Sequence, residues 1–123
     1  MLSEGDVMGF IPTKDAVPAR AFYEGVLGLR VISDDQFALV VESRQTVIRI
    51  TKINEFTPAP FTILGWRVQN IEEEVRTLAA RGVSFQRYSG LTQNDLGIWT
   101  SPGGARIAWF RDPDGNVLSL SQH

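Results

Sequence analysis

The alternation of apolar and polar positions follows the same order in both halves of the chain. In the first half, an alternating segment at 6–13 precedes a segment in which apolar residues recur at helical spacing. Asp15 is a typical N-cap for that helix, Pro18 suits its first turn, and Gly28 is placed to end it. Three short strands are then predicted at 29–33, 37–42 and 46–52. The pattern is therefore one strand, one helix and three further strands.

The second half repeats this order after a proline-containing segment at 54–60. An apolar segment at 61–68 predicts a strand. Asn70 predicts the start of a helix whose first turn is acidic, as the positive end of a helix dipole favours. Gly82 is placed to end that helix. Further strands are predicted at 83–87, 98–99, 105–111 and 117–121.

These patterns predict an α+β fold of two βαβββ units, related by internal duplication, within a single domain over residues 1–123. Unit one is expected to span about 1–55, the linker about 54–60 and unit two about 61–123. The helix of each unit should cover one face of its sheet and leave the other face uncovered. Two such units can form a cleft, which is the expected ligand site.

Composition and charge narrow the possible functions. The net charge is −2, so a nucleic acid, which usually needs a basic face, is not expected as a partner. No apolar run approaches 18 residues, so no membrane span is expected. The first residues lack the basic and apolar regions of a signal peptide, so we expect a cytoplasmic protein.

Metal-binding residue types are scarce. The chain has no cysteine, which excludes a thiolate site, and its single histidine is His123 at the last position. Terminal residues are usually mobile. A zinc, iron or nickel site built on imidazole would therefore have at most one, poorly placed, ligand.

Two motifs together with the duplication carry a family resemblance. The segment from Ala21-Phe22-Tyr23 to Leu27-Gly28-Leu29 and the turn Asp112-Pro113-Asp114-Gly115-Asn116 resemble those of the glyoxalase / bleomycin-resistance / extradiol-dioxygenase superfamily, the vicinal oxygen chelate proteins. The resemblance covers nearly the whole chain. It implies the family's cleft-forming fold, a homodimer, and, in the metal-dependent members, four metal ligands on the first, fourth, fifth and last strands.

Those four positions correspond here to Met8, Arg49, Ile63 and Ser119. None of these is a normal ligand of the family's metals, and the charge of Arg49 would repel a cation beside it. The resemblance therefore implies a member without the family's metal site, and we expect no cofactor. Glyoxalase, ring-cleaving dioxygenase and metal-dependent thiol transferase activities are all put in doubt.

Arginine and tryptophan side chains suggest what the cleft binds instead. A guanidinium is a good fork for a carboxylate, phosphate or sulfonate, and Arg49, Arg67 and Arg106 are the candidates. For Arg49 the alternative is an ion pair within the chain or a position in solvent. Trp99, beside the turn at 101–104, is the candidate for stacking on a planar ligand, whereas Trp109 is expected in the core.

The first hypothesis is a small-molecule binding protein whose cleft holds an anionic or planar organic ligand, with Met8, Ile63 and Ser119 lining it. The alternative is a metal-independent lyase or isomerase of the same superfamily, although no nucleophile with a neighbouring base is visible in the sequence. A third possibility is a regulatory or interaction protein whose cleft is filled by its own side chains.

Overall fold

The computed structural model describes residues 1–123 and divides into two compact units, Met1–Thr57 and Pro58–His123. Each unit contains one four-stranded sheet and one helical region, in the order strand, helix, three strands. The α+β class and the repeated βαβββ order predicted from the sequence are confirmed. None of the helices has the length and apolar character needed to cross a membrane.

The first unit opens with a short 3₁₀ turn and then forms its sheet. Its elements are β1 (Met8–Thr13), α1 (Ala16–Arg20), a π-helical segment (Ala21–Val26), β2 (Arg30–Asp34), β3 (Ala38–Ser43) and β4 (Thr46–Lys52). The strand order is β1-β4-β3-β2, with β1 parallel to β4 and the other neighbours antiparallel. This order places β4, which carries Arg49, in the interior of the sheet.

Local signals in the sequence account for the first helical region. The Asp15 side chain accepts a hydrogen bond from the Val17 backbone N–H at 3.1 Å, as an N-cap does. Gly28 follows the π-helical segment with φ +74°, a left-handed conformation that favours glycine. The region buries Tyr23 completely, and the inward positions of the strands are buried as well: Ile11, Leu39, Val41, Ile48 and Ile50.

The second unit repeats the plan. Its elements are β5 (Thr62–Arg67), α2 (Ile71–Ala80), β6 (Trp99–Thr100), β7 (Arg106–Arg111) and β8 (Val117–Gln122), with the strand order β5-β8-β7-β6. Asn70 caps α2 by accepting a hydrogen bond from the Glu73 backbone N–H at 3.1 Å. The Ile71 N–H donates to the Gln122 side chain at 2.9 Å, which ties the start of α2 to β8.

The core of the second unit lies between α2 and one face of its sheet. Helical spacing places three apolar side chains of α2 on one side: Ile71, Val75 and Leu78. Alternate strand residues supply the other side: Ala108, Phe110, Leu118 and Leu120. The opposite face of this sheet is not covered by the helix.

The prediction of a strand at 83–87 is wrong, because this segment forms no regular ladder of backbone hydrogen bonds with a neighbouring strand. Its one backbone hydrogen bond to β7 runs from the Gln86 N–H to the Trp109 carbonyl at 2.8 Å. The Gln93 side chain takes the place of a neighbouring strand: it donates to the Gln86 carbonyl at 2.9 Å and accepts from the Tyr88 N–H at 2.8 Å. The polar groups of this segment are therefore satisfied by a loop side chain.

A buried turn joins β7 to β8. The Asp112 carboxylate accepts hydrogen bonds from the backbone N–H groups of Asp114 and Asn116, each at 2.9 Å, and from the Asn116 side-chain amide at 2.8 Å. Asp112 is 6% exposed and Asn116 is 1% exposed. Gly115 has φ +90°, which this tight turn requires. The turn thereby fixes the register of the last strand.

Candidate functional site

Each sheet has one face that its helix does not cover, and we call this the free face. In the first unit, Arg49 lies on it, because its neighbours Ile48 and Ile50 in β4 point into the core. Arg49 pairs laterally with Phe10 on β1 and with Val40 on β3. The lateral neighbours of Arg49 are therefore apolar, while Arg30 and Glu42 pair with each other further along the same face.

The free face of the first unit is also well exposed at its edge. Phe10 is 65% exposed and Met8, two residues earlier on β1, is 47% exposed. Side chains two apart on a strand share a face, so Met8 lies on the same face as Phe10 and Arg49. The predicted residues Met8 and Arg49 are thus brought onto one surface.

The charge of Arg49 is not taken up by an ion pair. Salt bridges in this unit use Arg20, Arg30 and Lys52 instead. Arg49 contributes to lowering the pKa of Asp35, but the larger causes of that shift are the backbone N–H groups that donate to the carboxylate. A guanidinium without a salt-bridge partner remains available to an anion.

In the second unit, the strand pairing defines two adjacent rows on the free face. One row runs across the sheet through Gly65, Ser119 and Trp109. The next row runs through Arg67, Ser121, Ile107 and Trp99. The predicted residues Arg67, Trp99 and Ser119 therefore lie on one surface, with Arg67 and Trp99 on the two edge strands of the sheet.

Gly65 makes room for the Ser119 hydroxyl. A Cβ atom at Gly65 would lie 2.7 Å from Ser119 Oγ, which is closer than such atoms approach in proteins. The hydroxyl is thus oriented over the neighbouring strand. Ile63 lies at a register shift between Thr62 and Leu64 in β5 and is half-buried.

Three aromatic side chains, the aromatic cluster, gather on this free face. The ring of Trp109 lies 5.4 Å from that of Tyr88, edge to face, and 6.1 Å from that of Trp99 with a 35° tilt. All three side chains are half-buried. The exposed parts of rings packed in this way offer an apolar platform to a planar ligand.

Sequence reasoning missed Trp109, which was expected in the core. The phase of β7 decides its position: Ala108 and Phe110 are fully buried against the helix side, so Trp109 between them must point to the free face. The pairing of Trp109 with Ser119 places it beside a residue already singled out. Strand alternation predicts that Trp109 lies on the free face once Ala108 is assigned to a core position.

Arg106 lies on the helix-covered face, not on the free face expected for it. It pairs laterally with Gln122 and Thr100, one residue out of phase with the row that contains Arg67. Its guanidinium donates to the Glu72 carboxylate of α2 at 2.7 Å, and this contact lowers the pKa of Glu72. Arg106 therefore fastens the helix to the sheet, and we leave it out of the candidate site.

Arg67 resembles Arg49 in having no salt bridge. The other arginines on the strands have partners: Arg30 pairs with Glu42, Arg106 with Glu72, and Arg111 with Gln86 and the Gly115 carbonyl. Arg67 and Arg49 are the exceptions. This contrast singles them out as groups able to bind an anion from solution.

The single histidine also lies at this surface. His123 Nε2 is 3.2 Å from Ser121 Oγ, and Ser121 is the lateral neighbour of Arg67. The sequence placed His123 only as a terminal residue. Its hydrogen bond was not predictable, because it depends on the direction in which β8 carries the chain end.

The residues at the family's metal positions do not fit a metal ion. Nowhere do three or more His, Cys, Asp or Glu side chains come together around a common point. Two positions along β4 and β8 from Arg49 and Ser119 lie Val47, Thr51, Val117 and Ser121, so a shift along these strands brings in no carboxylate, imidazole or thiolate. An arginine, a thioether, an aliphatic chain and a lone hydroxyl are not a ligand set for a divalent metal.

Each βαβββ unit of the chain forms one four-stranded sheet. This fold can be compared directly with the folds of solved protein structures. The chain matches a structure from Sphaerobacter thermophilus, described as a member of the glyoxalase/bleomycin resistance protein/dioxygenase superfamily, with 25% identity, TM-score 0.78 and full coverage of both chains. TnmS3, an antibiotic binding protein from Streptomyces sp. CB03234, is 24% identical with TM-score 0.73, covering 99% of this chain and 98% of its own.

A third similar structure is the bleomycin resistance determinant encoded on the transposon Tn5, which is 20% identical with TM-score 0.76 and covers 96% of this chain and 97% of its own. No curated protein sequence gives a significant match. The family model of the Glyoxalase/Bleomycin resistance protein/Dioxygenase superfamily matches residues 6–120. The chain belongs to this superfamily, and the resemblance seen in the sequence is confirmed.

Proposed function

We propose that the protein binds a planar, anionic organic molecule on the free face of its second sheet, without a metal. The observation that carries the proposal is an aromatic cluster on the same sheet face as an arginine that has no salt bridge. The exposed parts of Tyr88, Trp99 and Trp109 provide a surface on which a flat ring can stack. Arg67 lies in the adjacent row, two strands away from Trp109, and provides a positive charge.

Hydroxyl groups complete the proposed site. Ser119 is the neighbour of Trp109 and Ser121 is the neighbour of Arg67, so each can donate to an oxygen of the same ligand. The anion would be a carboxylate, sulfonate or phosphate, the groups whose geometry matches a guanidinium fork. Neutral ligands of the same shape would bind more weakly.

Arg49 supports the anionic preference independently. It occupies the family's metal position on the fourth strand, lies on a free face and has no salt bridge. We propose it as a second anion-binding group, with Met8 as an apolar contact on the same face, and Ile63 as an apolar contact of the site on the second sheet. The similarity to TnmS3, an antibiotic binding protein, and to a bleomycin resistance determinant supports a ligand-binding role. The homodimer and the cytoplasmic location stay predictions.

The test uses 2-naphthoate and its neutral counterpart 2-naphthamide. The indole N–H signals of Trp66, Trp99 and Trp109 in ¹H–¹⁵N NMR spectra report the position of the ligand. We expect 2-naphthoate to shift the Trp99 and Trp109 signals. The signal of Trp66 should stay, because Trp66 lies in the row of Leu120 and Ala108 on the helix-covered face.

A charge-matched pair of variants tests the role of the arginine. Arg67→Gln should weaken the binding of 2-naphthoate about tenfold and leave the weaker binding of 2-naphthamide unchanged. Arg76→Gln, the same change on the exposed side of α2, should alter neither. Equal affinities for acid and amide, or an effect as large for Arg76→Gln, would refute the anionic preference.

A separate measurement tests the absence of the family's metal site. Nickel, zinc and ferrous ions should not raise the thermal unfolding temperature, since no set of donors is available to hold them. A rise that EDTA reverses would contradict the proposal. Arg49→Glu, which would restore the family's usual residue, is expected to remain insufficient, because Met8, Ile63 and Ser119 still supply no strong ligand.

One contact favours the second candidate, a metal-independent lyase or isomerase. The imidazole of His123 lies within hydrogen-bonding distance of Ser121, which is the lateral neighbour of Arg67, so a proton acceptor stands near an anion-binding group. Phenylpyruvate, a planar anion with an exchangeable C–H, is a suitable probe. Exchange of that proton in D₂O that is lost in His123→Gln would favour this candidate.

A further inference from the structure

A second, chemically different depression lies at the edge of the second sheet, beside β6. Its volume is about 560 Å³, within the usual range for small-ligand sites. Trp99 and Ile98 form its apolar part, and Thr92, Gln93, Asn94 and Thr100 form its polar part. No charged side chain lines it, in contrast to the free face with Arg67.

The hydrogen bonds of the lining residues show which polar groups remain available. The side-chain amide of Gln93 is already hydrogen-bonded within the chain: it accepts from the Tyr88 N–H and donates to the Gln86 and Gly97 carbonyls. Asn94 differs from Gln93, because only its side-chain oxygen is used.

Asn94 Oδ1 accepts from the backbone N–H groups of Leu96 at 3.0 Å and Ile98 at 2.9 Å. Its amide nitrogen makes no hydrogen bond within the chain, and neither do the hydroxyls of Thr92 and Thr100. The depression therefore presents an amide donor and two hydroxyls that act as donor or acceptor.

We propose that this depression binds a neutral carbohydrate ring, with Trp99 as the stacking platform. A pyranose has an apolar face of C–H groups and a rim of hydroxyls that both donate and accept. Those two features match a half-buried indole bordered by uncharged amide and hydroxyl groups. An anion would find no countercharge here, and a purely apolar ligand would leave the polar groups without partners.

The proposal does not depend on the proposed function, although Trp99 belongs to both surfaces. Trp99 contacts Trp109 of the aromatic cluster and also lines the depression. A ligand could carry both a planar anion and a sugar, or the two sites could act separately. Variants of residues that line only one of the two surfaces keep the tests apart.

The experiment titrates the ¹⁵N-labelled protein with methyl α-glucopyranoside, methyl β-galactopyranoside and N-acetylglucosamine. At least one should shift the Trp99 indole signal and the Asn94 side-chain amide signal with saturation at a dissociation constant on the order of 1 mM. Mannitol, an acyclic polyol without a ring face, should shift neither. No saturable shift with any of the three sugars, or an equal response to mannitol, would overturn the proposal.

Variants then test the individual contacts. Asn94→Asp keeps the oxygen that accepts from Leu96 and Ile98 and removes the amide donor, so it should fold normally and bind the sugar about fivefold more weakly. Thr100→Val should act similarly, and Trp99→Ala should weaken binding at least about tenfold. Arg67→Gln should leave sugar binding unchanged. Unaltered binding by both Asn94→Asp and Thr100→Val would overturn the assignment.

Discussion

Replacing Asp112 by alanine should destabilise the second unit strongly, because its carboxylate holds the turn between β7 and β8. The carboxylate accepts from two backbone N–H groups and from the Asn116 amide, and both side chains are almost fully buried. In the alanine variant the Asn116 amide loses this partner inside the protein. Removing the acceptor of buried donors costs roughly 1–3 kcal/mol, and the lost charge-assisted bonds add about 1 kcal/mol more.

The expected loss is therefore about 3 kcal/mol, a large share of the roughly 5–15 kcal/mol that stabilises a typical domain. For a chain of this size it corresponds to a fall in the midpoint of thermal unfolding of roughly 10 °C. Urea unfolding followed by tryptophan fluorescence measures it directly. Trp66, Trp99 and Trp109 all lie in the second unit, so the signal reports the unit that contains the turn.

Asp95→Ala is the matched control. It removes the same charge from an exposed loop position in the same unit, where the backbone carbonyl, not the side chain, accepts from Arg87. That variant should change the free energy of unfolding by less than about 0.5 kcal/mol. A loss below about 1 kcal/mol for Asp112→Ala, or one equal to that of Asp95→Ala, would show that the turn is not held as argued.

Two further changes are predicted to alter stability. Gly65→Ala should cost roughly 1–2 kcal/mol, because its Cβ would meet Ser119 Oγ at 2.7 Å, and adding Ser119→Ala should restore much of the loss in a double-mutant cycle; additive effects in urea unfolding would contradict this contact. The Lys52 ammonium lowers the pKa of Asp34 below its ordinary 3.8, so the native state binds fewer protons there, and the stability from this pair is present above about pH 4 and lost as the pH falls below it. Urea midpoints between pH 6 and pH 2.5 should therefore fall less for Asp34→Asn than for the unaltered protein, and parallel curves would exclude the effect.

Much of the fold could be predicted because its signals are local. The N-caps Asp15 and Asn70, the left-handed Gly28 and the Asp112 turn each act within a few residues, and each lies where the sequence placed it. The segment at 83–87 could not be predicted, since its strand-like composition is overridden by hydrogen bonds with Gln93, a residue later in the same connection between α2 and β6. Such a contact has no signature in periodicity.

The site was predictable only in part. Strand alternation placed Arg49, Arg67 and Ser119 on free faces, because each lies on a long strand with a clear phase. It misplaced Trp109 and Arg106, both on β7. The helix-covered positions of β7 include the small Ala108 and the charged Arg106, so the apolar pattern does not show which face of this strand is buried. Arg106 donates to Glu72 from the helix-covered face, but its sequence context is the same as that of a surface arginine.

Strand alternation also separates the residues that build the superfamily's fold in this chain from those that lie on the free faces. The core depends on one set of alternate residues, such as Ile48, Ile50, Leu118 and Leu120, and the free faces depend on the other. Arg49 and Ser119 stand between those core residues and contribute nothing to the packing beneath the helices. The residues of the free faces can therefore vary without disturbing that core. Under the proposed function, Arg49 attracts an anion where a carboxylate at the same position would attract a cation.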